Sequence, residues 1–214
     1  MSKYLITPTL INAYQYYIND EFKSPADSRA DFLKTLSREK FKPNEAMQKG
    51  IELEDTIKEI SSSDFAYRSF CDSLPEDNIE QRDITMLLLV DIVKGGLWQQ
   101  TCKKDLKIGN KEFLLYGKMD VIKRDTIYDI KFTDNYELGK FLDSSQHLIY
   151  LYCTGLPKFQ YLISDGKDYW IEDYYNHANI ENEIKSKISD FLGYLENDKE
   201  AKEMFETKWI SKQN

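Results

Sequence analysis

Apolar positions in the first part of the chain recur three and four residues apart. Thr7-Pro8 supplies an N-cap and a proline at the first helical position, and Leu10, Ile11, Tyr14, Tyr17 and Ile18 follow at helical spacing. A second helix is predicted from residue 25 to about 40. Pro43-Asn44 opens a third, carrying Met47, Ile51, Glu54, Ile57 and Lys58. Short helical pieces cover residues 64–72, and residues 80–94 read as a buried helix stopped by Gly95-Gly96. The period then changes. Residues 97–107, 112–123 and 126–133 read as strands, residues 143–153 as a helix, and residues 159–164 and 169–174 as two strands around Asp165-Gly166-Lys167. From Asn179 onward the pattern is helical and charged. One α/β (α+β) domain over residues 1–214 is predicted, with a helical part to about 96, a sheet core at about 97–175 and a helical tail at about 176–214.

Composition supports a packed core, with 41% hydrophobic residues and only 9 Gly and 5 Pro in 214. A net charge of -8 argues against a protein that coats nucleic acid non-specifically. The charge is uneven, however. Residues 101–131 hold eight basic side chains against five acidic ones, so this stretch is locally positive. Cys71, Cys102 and Cys153 show no C-x-x-C spacing, which predicts reduced thiols rather than a disulfide framework or zinc knuckle. The start of the chain has no apolar signal region, and the most apolar run, residues 86–93, is far shorter than a bilayer requires. A soluble protein of the cytoplasm of a bacterial or phage-infected cell is expected, with no membrane partner.

The most informative chemistry lies in the predicted hairpin around Arg124-Asp125. A turn there sets Asp120 opposite Asp129, and like charges facing across a ladder are destabilising. Lys131, two residues beyond Asp129, shares its face. A divalent cation resolves the repulsion, because a hard cation takes carboxylate oxygens.

Gly117-x-x-Asp120, Asp129-x-Lys131 and Gln146-x-x-x-Tyr150, with Gly50-Ile51-Glu52-Leu53-Glu54 upstream, resemble the PD-(D/E)xK nuclease superfamily, in its branch of RecB-type and lambda-type phage exonucleases. The ordered set spans roughly residues 50 to 150. The resemblance implies a restriction-endonuclease-like core, a central mixed sheet of four to five strands flanked by helices. It implies Mg²⁺ or Mn²⁺ held by Glu54, Asp120, Asp129 and the backbone carbonyl of Ile130. Lys131 would lie beside the metal, to orient or deprotonate the attacking water or to neutralise the phosphate. Gln146 and Tyr150, four apart on one helix face, would position substrate. Glu52 and Asp55 compete with Glu54 as the third acid.

Other readings stand beside these. His147 and His177 read as structural, with His147 also within reach of a substrate groove through its neighbour Gln146. The related iron–sulfur nucleases use four cysteines, so no cluster is expected here. The segment after Glu54 has no arginine before Arg68, so a dedicated arginine pocket for a 5′-phosphate is not expected. No G-x-x-x-x-G-K-[ST] occurs. The expected activity is metal-dependent hydrolysis of DNA, by an exonuclease rather than an endonuclease, in phage or prophage recombination or in repair. Its partners would be DNA and a recombination protein or further copies of the chain. The alternative is a non-catalytic DNA-binding or assembly module on the same fold.

Overall fold

The computed structural model describes residues 3–20, 23–40 and 42–211. Among them, six strands form one mixed sheet with eight helices around it. The expected α/β class holds, with six strands where four or five were expected. The extra one is β1 (Tyr4–Ile6), which pairs in parallel with β3 (Lys111–Lys123) from Tyr4↔Phe113 to Ile6↔Leu115. Three residues directly before a helix are too few to show an alternating pattern.

β2 (Leu97–Ile108) runs antiparallel along β3, from Leu97↔Ile122 to Ile108↔Lys111. The other edge of β3 is shared. β1 takes residues 113–115, and β4 (Thr126–Phe132) takes residues 121–123 through a hairpin with Arg124 in the left-handed region. Between them the edge at residues 116–120 pairs with neither. β4 continues in parallel onto β5 (Lys158–Ser164), and β6 (Tyr169–Tyr175) closes the order β1-β3-β4-β5-β6. The sheet is therefore split along β3, where β1 and β4 part company. Ligands in open α/β sheets favour such switch points.

Both faces are covered, as alternation requires. Ile127, Phe159, Tyr161 and Ile163 face a large cluster with α1 (Pro8–Asn19), α2 (Pro25–Leu36), α6 (Ser145–Thr154), α7 (Ile180–Asn197) and α8 (Lys199–Lys208). Val121, Ile130 and Leu162 face a smaller one with α3 (Glu45–Ser61) and α5 (Gln81–Val93), and α4 (Asp64–Ser73) lies beside it. The starts follow capping chemistry. Thr7, Ser24, Asn44 and Ser144 each accept a backbone N–H of the first turn. Helix α2 stops at Leu36, short of the predicted residue 40, as Arg38 turns left-handed at φ 60°. Asp198 ends α7 and caps α8, where the guanidinium of Arg29 grips it. The helical reading of the tail extends to residues 212–214, which lie outside the described residues. Among the described residues no helix is long and apolar enough to cross a membrane.

Candidate active site at the split in the sheet

Four elements bring their polar residues to the open stretch of β3. The β3–β4 ladder keeps the predicted register through Val121↔Tyr128 and stops there, one residue before Asp120 would face Asp129. Past that point the side chain of Asp120 replaces the ladder, and the Ile130 N–H donates to its Oδ2 at 2.9 Å. In an extended strand the N–H and C=O of one residue face the same neighbour, so the Ile130 carbonyl points to the same edge. Asp129 is buried at 1% exposure. The Gln146 amide donates to its Oδ1 at 2.5 Å, and the Lys131 ammonium stands 2.5 Å from its Oδ2. That Oδ2 is buried and receives no aligned hydrogen bond.

Glu54 arrives from α3 on the opposite layer. It is half-buried, whereas Glu52 and Asp55 are exposed and Glu52 is tied to Gln48. This singles out Glu54 among the three acids. Burial, Asp129 and Asp55 together push its carboxyl above the ordinary range. Asp120 is pushed up to about 8, by burial first and then by Asp129 and Glu54. Burial pulls Lys131 down, but Asp129, Asp120 and Glu54 outweigh it and hold the ammonium above its usual range. Three acids therefore share one lysine, and Glu54 and Asp120 respond by holding on to their protons. Such shifts collect at functional sites.

Gln99 was missed by the sequence reading. It sits at the β2 position facing Asp120, where the ladder steps from Trp98↔Val121 to Gln100↔Met119. Its φ of 56° is left-handed, and its amide donates to Glu54 Oε1. A non-glycine residue in this region is uncommon and marks a place where the surroundings dictate the backbone. Nothing in the Trp98-Gln99-Gln100 run signals this, since the partner lies on a distant helix.

Tyr150 is buried rather than presented to a substrate. Its hydroxyl donates to the Lys118 carbonyl at 2.7 Å and lies 3.4 Å from the Gln146 amide. It thus seals the open edge of β3 and holds α6 where Gln146 meets Asp129. Gly117 is needed for this, because a Cβ there would overlap the Tyr150 ring. Gly50, by contrast, would admit a Cβ at ordinary contact with Phe132. His147 turns away and stacks on Tyr174, with ring centroids 3.9 Å apart and Nδ1 buried without a partner. It reads as core, and His177 lies exposed elsewhere.

The donor set fits a divalent cation in its chemistry. Carboxylates from Glu54, Asp120 and Asp129 repel one another, and the buried Asp129 Oδ2 has the Lys131 ammonium as its neighbour. Among the described residues no group of three or more His, Cys, Asp or Glu side chains is gathered as a ready cage. Mg²⁺ does not require one, since it binds through one or two carboxylates and keeps several waters. A larger concavity of about 1350 Å³, lined by Arg38, Lys103, Lys104 and Lys208 among others, contains none of these residues and is a basic surface apart from the acids.

Fold and site together define an α/β protein with a split mixed sheet and a buried acid–lysine cluster at the split. No protein-family model matches the chain, and no curated protein sequence matches it. Among solved structures, the crystal structure of SSO0001 aligns over 91% of this chain and 78% of its own, with a TM-score of 0.51 at 12% identity. That likeness concerns the fold alone. The crystal structure of Scheffersomyces stipitis Rai1 aligns over 92% of this chain and 62% of its own, at 14% identity and a TM-score of 0.37. Rai1 in complex with (3'-NADP)+ and calcium ion gives 16% identity and 0.31.

Proposed function

We propose that this protein is a divalent-metal-dependent deoxyribonuclease of the PD-(D/E)xK kind, acting as an exonuclease in recombination or repair of DNA. The observation that carries the reading is the convergence of Glu54, Asp120 and Asp129 from α3, β3 and β4 on one lysine, which leaves three carboxylates to one cation. Asp120 and Asp129 would hold Mg²⁺ or Mn²⁺, with Glu54 and the Ile130 carbonyl as further oxygens. The bound cation would polarise the phosphoryl oxygens and lower the pKa of a water.

The chain's own groups divide the remaining work. Gln146 fixes the orientation of Asp129, and Gln99 fixes that of Glu54. Lys131 is held cationic by three acids, which favours neutralising a phosphate or orienting a water over accepting a proton. The fit of Lys131 against Asp129 also favours the alternative of a non-catalytic DNA-binding module, because the ammonium already neutralises the most buried acid.

Degradation of linear duplex DNA with Mg²⁺ or Mn²⁺ separates the two. Hydrolysis by the wild type that is lost in Asp120→Ala and Lys131→Ala is expected. Hydrolysis that survives in both variants removes these residues from the site, and none on any DNA form leaves the binding module.

A further inference from the structure

We propose that Cys102 and Cys153 form a reversible oxidation site, joined into a disulfide by a small hydroperoxide and parted again by a thiol reductant. The site stands independently of the hydrolase reading above. All three cysteines are free thiols, Cys102 buried and Cys153 partly so. Cys102 lies on β2 and Cys153 near the end of α6, far apart along the chain. The fold brings them together. Cys102 pairs across the ladder with Gly117, and the Tyr150 ring covers Gly117. Cys153 follows Tyr150 by three residues and so shares its face of α6. Lys104, two residues beyond Cys102, shares the face of β2 that meets this helix. Its ammonium donates to the Tyr152 carbonyl at 3.0 Å and lies over the Tyr152 ring, which clamps the end of α6 to β2. Beside that clamp the two thiols are hydrogen-bonded to one another.

The contact suits oxidation. The hydrogen bond from Cys153 holds the Cys102 thiol below its usual range although burial opposes it, and the Gly117 backbone adds to the effect. Cys153, bonded to Cys102 and partly buried, keeps its proton well above that range. A thiolate with a second thiol poised beside it is the arrangement that resolves a sulfenic acid into a disulfide. With Cys102 buried, only a small oxidant reaches the first sulfur, and hydrogen peroxide is small enough. The Cys102 thiolate attacks one peroxide oxygen, the O–O bond breaks, and the departing hydroxide takes a proton, leaving a sulfenic acid and water. The Cys153 sulfur then attacks the Cys102 sulfur. The S–O bond breaks, and the hydroxide leaves with the Cys153 proton as a second water. Two electrons pass from the sulfurs to the peroxide. The new bond ties the end of α6, the helix that aims Gln146 at Asp129, to the strand that carries Gln99. It closes a long loop through β3 and β4, which constrains the unfolded chain.

The full chain with Cys71→Ser, reduced and then given equimolar hydrogen peroxide, tests this. Its intact mass is expected to fall by two hydrogens, and a protease digest without reductant should yield one peptide pair joined through Cys102 and Cys153. The same digest on the wild type serves if Cys71→Ser does not fold. The melting temperature should rise by about 10 °C and return on adding dithiothreitol. Closure should be at least about tenfold faster in the native protein than in urea, because the fold already holds the thiols in contact. Two alkylatable thiols remaining after peroxide, sulfinic acid at Cys102 without a cross-link, or closure no faster in the folded than in the unfolded chain each overturn the proposal. None of these readouts involves DNA or a cation, so the hydrolase reading stands or falls separately.

Discussion

The ring of Tyr150 occupies the space that a side chain at position 117 would need, so Gly117 and Tyr150 fit one another across the open edge of β3. The fit carries the site, because Tyr150 bonds the Lys118 carbonyl from the helix that aims Gln146 at Asp129. Gly117→Ala should destabilise the fold by about 1–3 kcal/mol through overpacking. The cost should shrink in a Tyr150→Leu background, as contacting residues are non-additive. Denaturant unfolding of the two single variants and the double variant measures this. Equal costs in both backgrounds would show that the ring is not the obstacle.

Cation binding should be visible as stability. If Asp120 and Asp129 hold Mg²⁺, a concentration one hundred times Kd adds about 2.7 kcal/mol and raises Tm by about 5–10 °C for a chain of this size. Asp120→Asn keeps an acceptor for the Ile130 N–H and should abolish the shift. Differential scanning fluorimetry against Mg²⁺ and Mn²⁺ decides it, and an undiminished shift in the variant would move the cation elsewhere.

Gln99 combines backbone strain with a hydrogen bond to Glu54, and two substitutions separate them. Gln99→Ala keeps the left-handed backbone and loses the bond. Gln99→Gly loses the bond and relieves the strain, so it should be more stable than Gln99→Ala by about 1–2 kcal/mol. Both should weaken Mn²⁺ binding to a similar degree, because both free Glu54. Unfolding curves that coincide would mean that no strain is stored there.

Acid should act through His147 as well as through the carboxylates. Burial, with Lys187 and His177 adding, pushes His147 from the usual 6.5 down to about 3. Between these values the unfolded chain binds a proton that the folded one does not. The neutral ring's contribution is therefore complete above about pH 6.5 and falls as pH drops, by about 2 kcal/mol at pH 5. His147→Phe retains the stack on Tyr174 and should flatten this limb. Unfolding free energies at pH 5 and 7.5 test it, and parallel losses in the two proteins would exonerate His147.

Much of the site was legible along the chain. The hairpin register follows from Arg124-Asp125 and holds through Val121↔Tyr128, which brings Asp120 and Asp129 near one another although the ladder ends before they would pair. Gln146 was nominated through the family resemblance, and its spacing from Tyr150 only placed the two on one helix face. The role of Tyr150 was not legible, since that spacing says nothing of which is buried. Glu54 could be nominated but not separated from Glu52 and Asp55, because only the packing of α3 on the sheet turns one of the three inward.

The sequence by itself determined most of the elements, β1 and the break between α7 and α8 excepted, because helix caps, apolar periods and turn residues act over a few neighbours. Only the tertiary structure decided that β1 and β4 divide one edge of β3 and leave residues 116–120 open between them. Strand order depends on contacts between distant segments, which no local pattern encodes. That gap is where Asp120 meets Ile130 and where Tyr150 closes the edge, and from β2 on the other side of β3 Gln99 reaches Glu54. Its chemistry exists only once α3, α6 and three strands have packed around it.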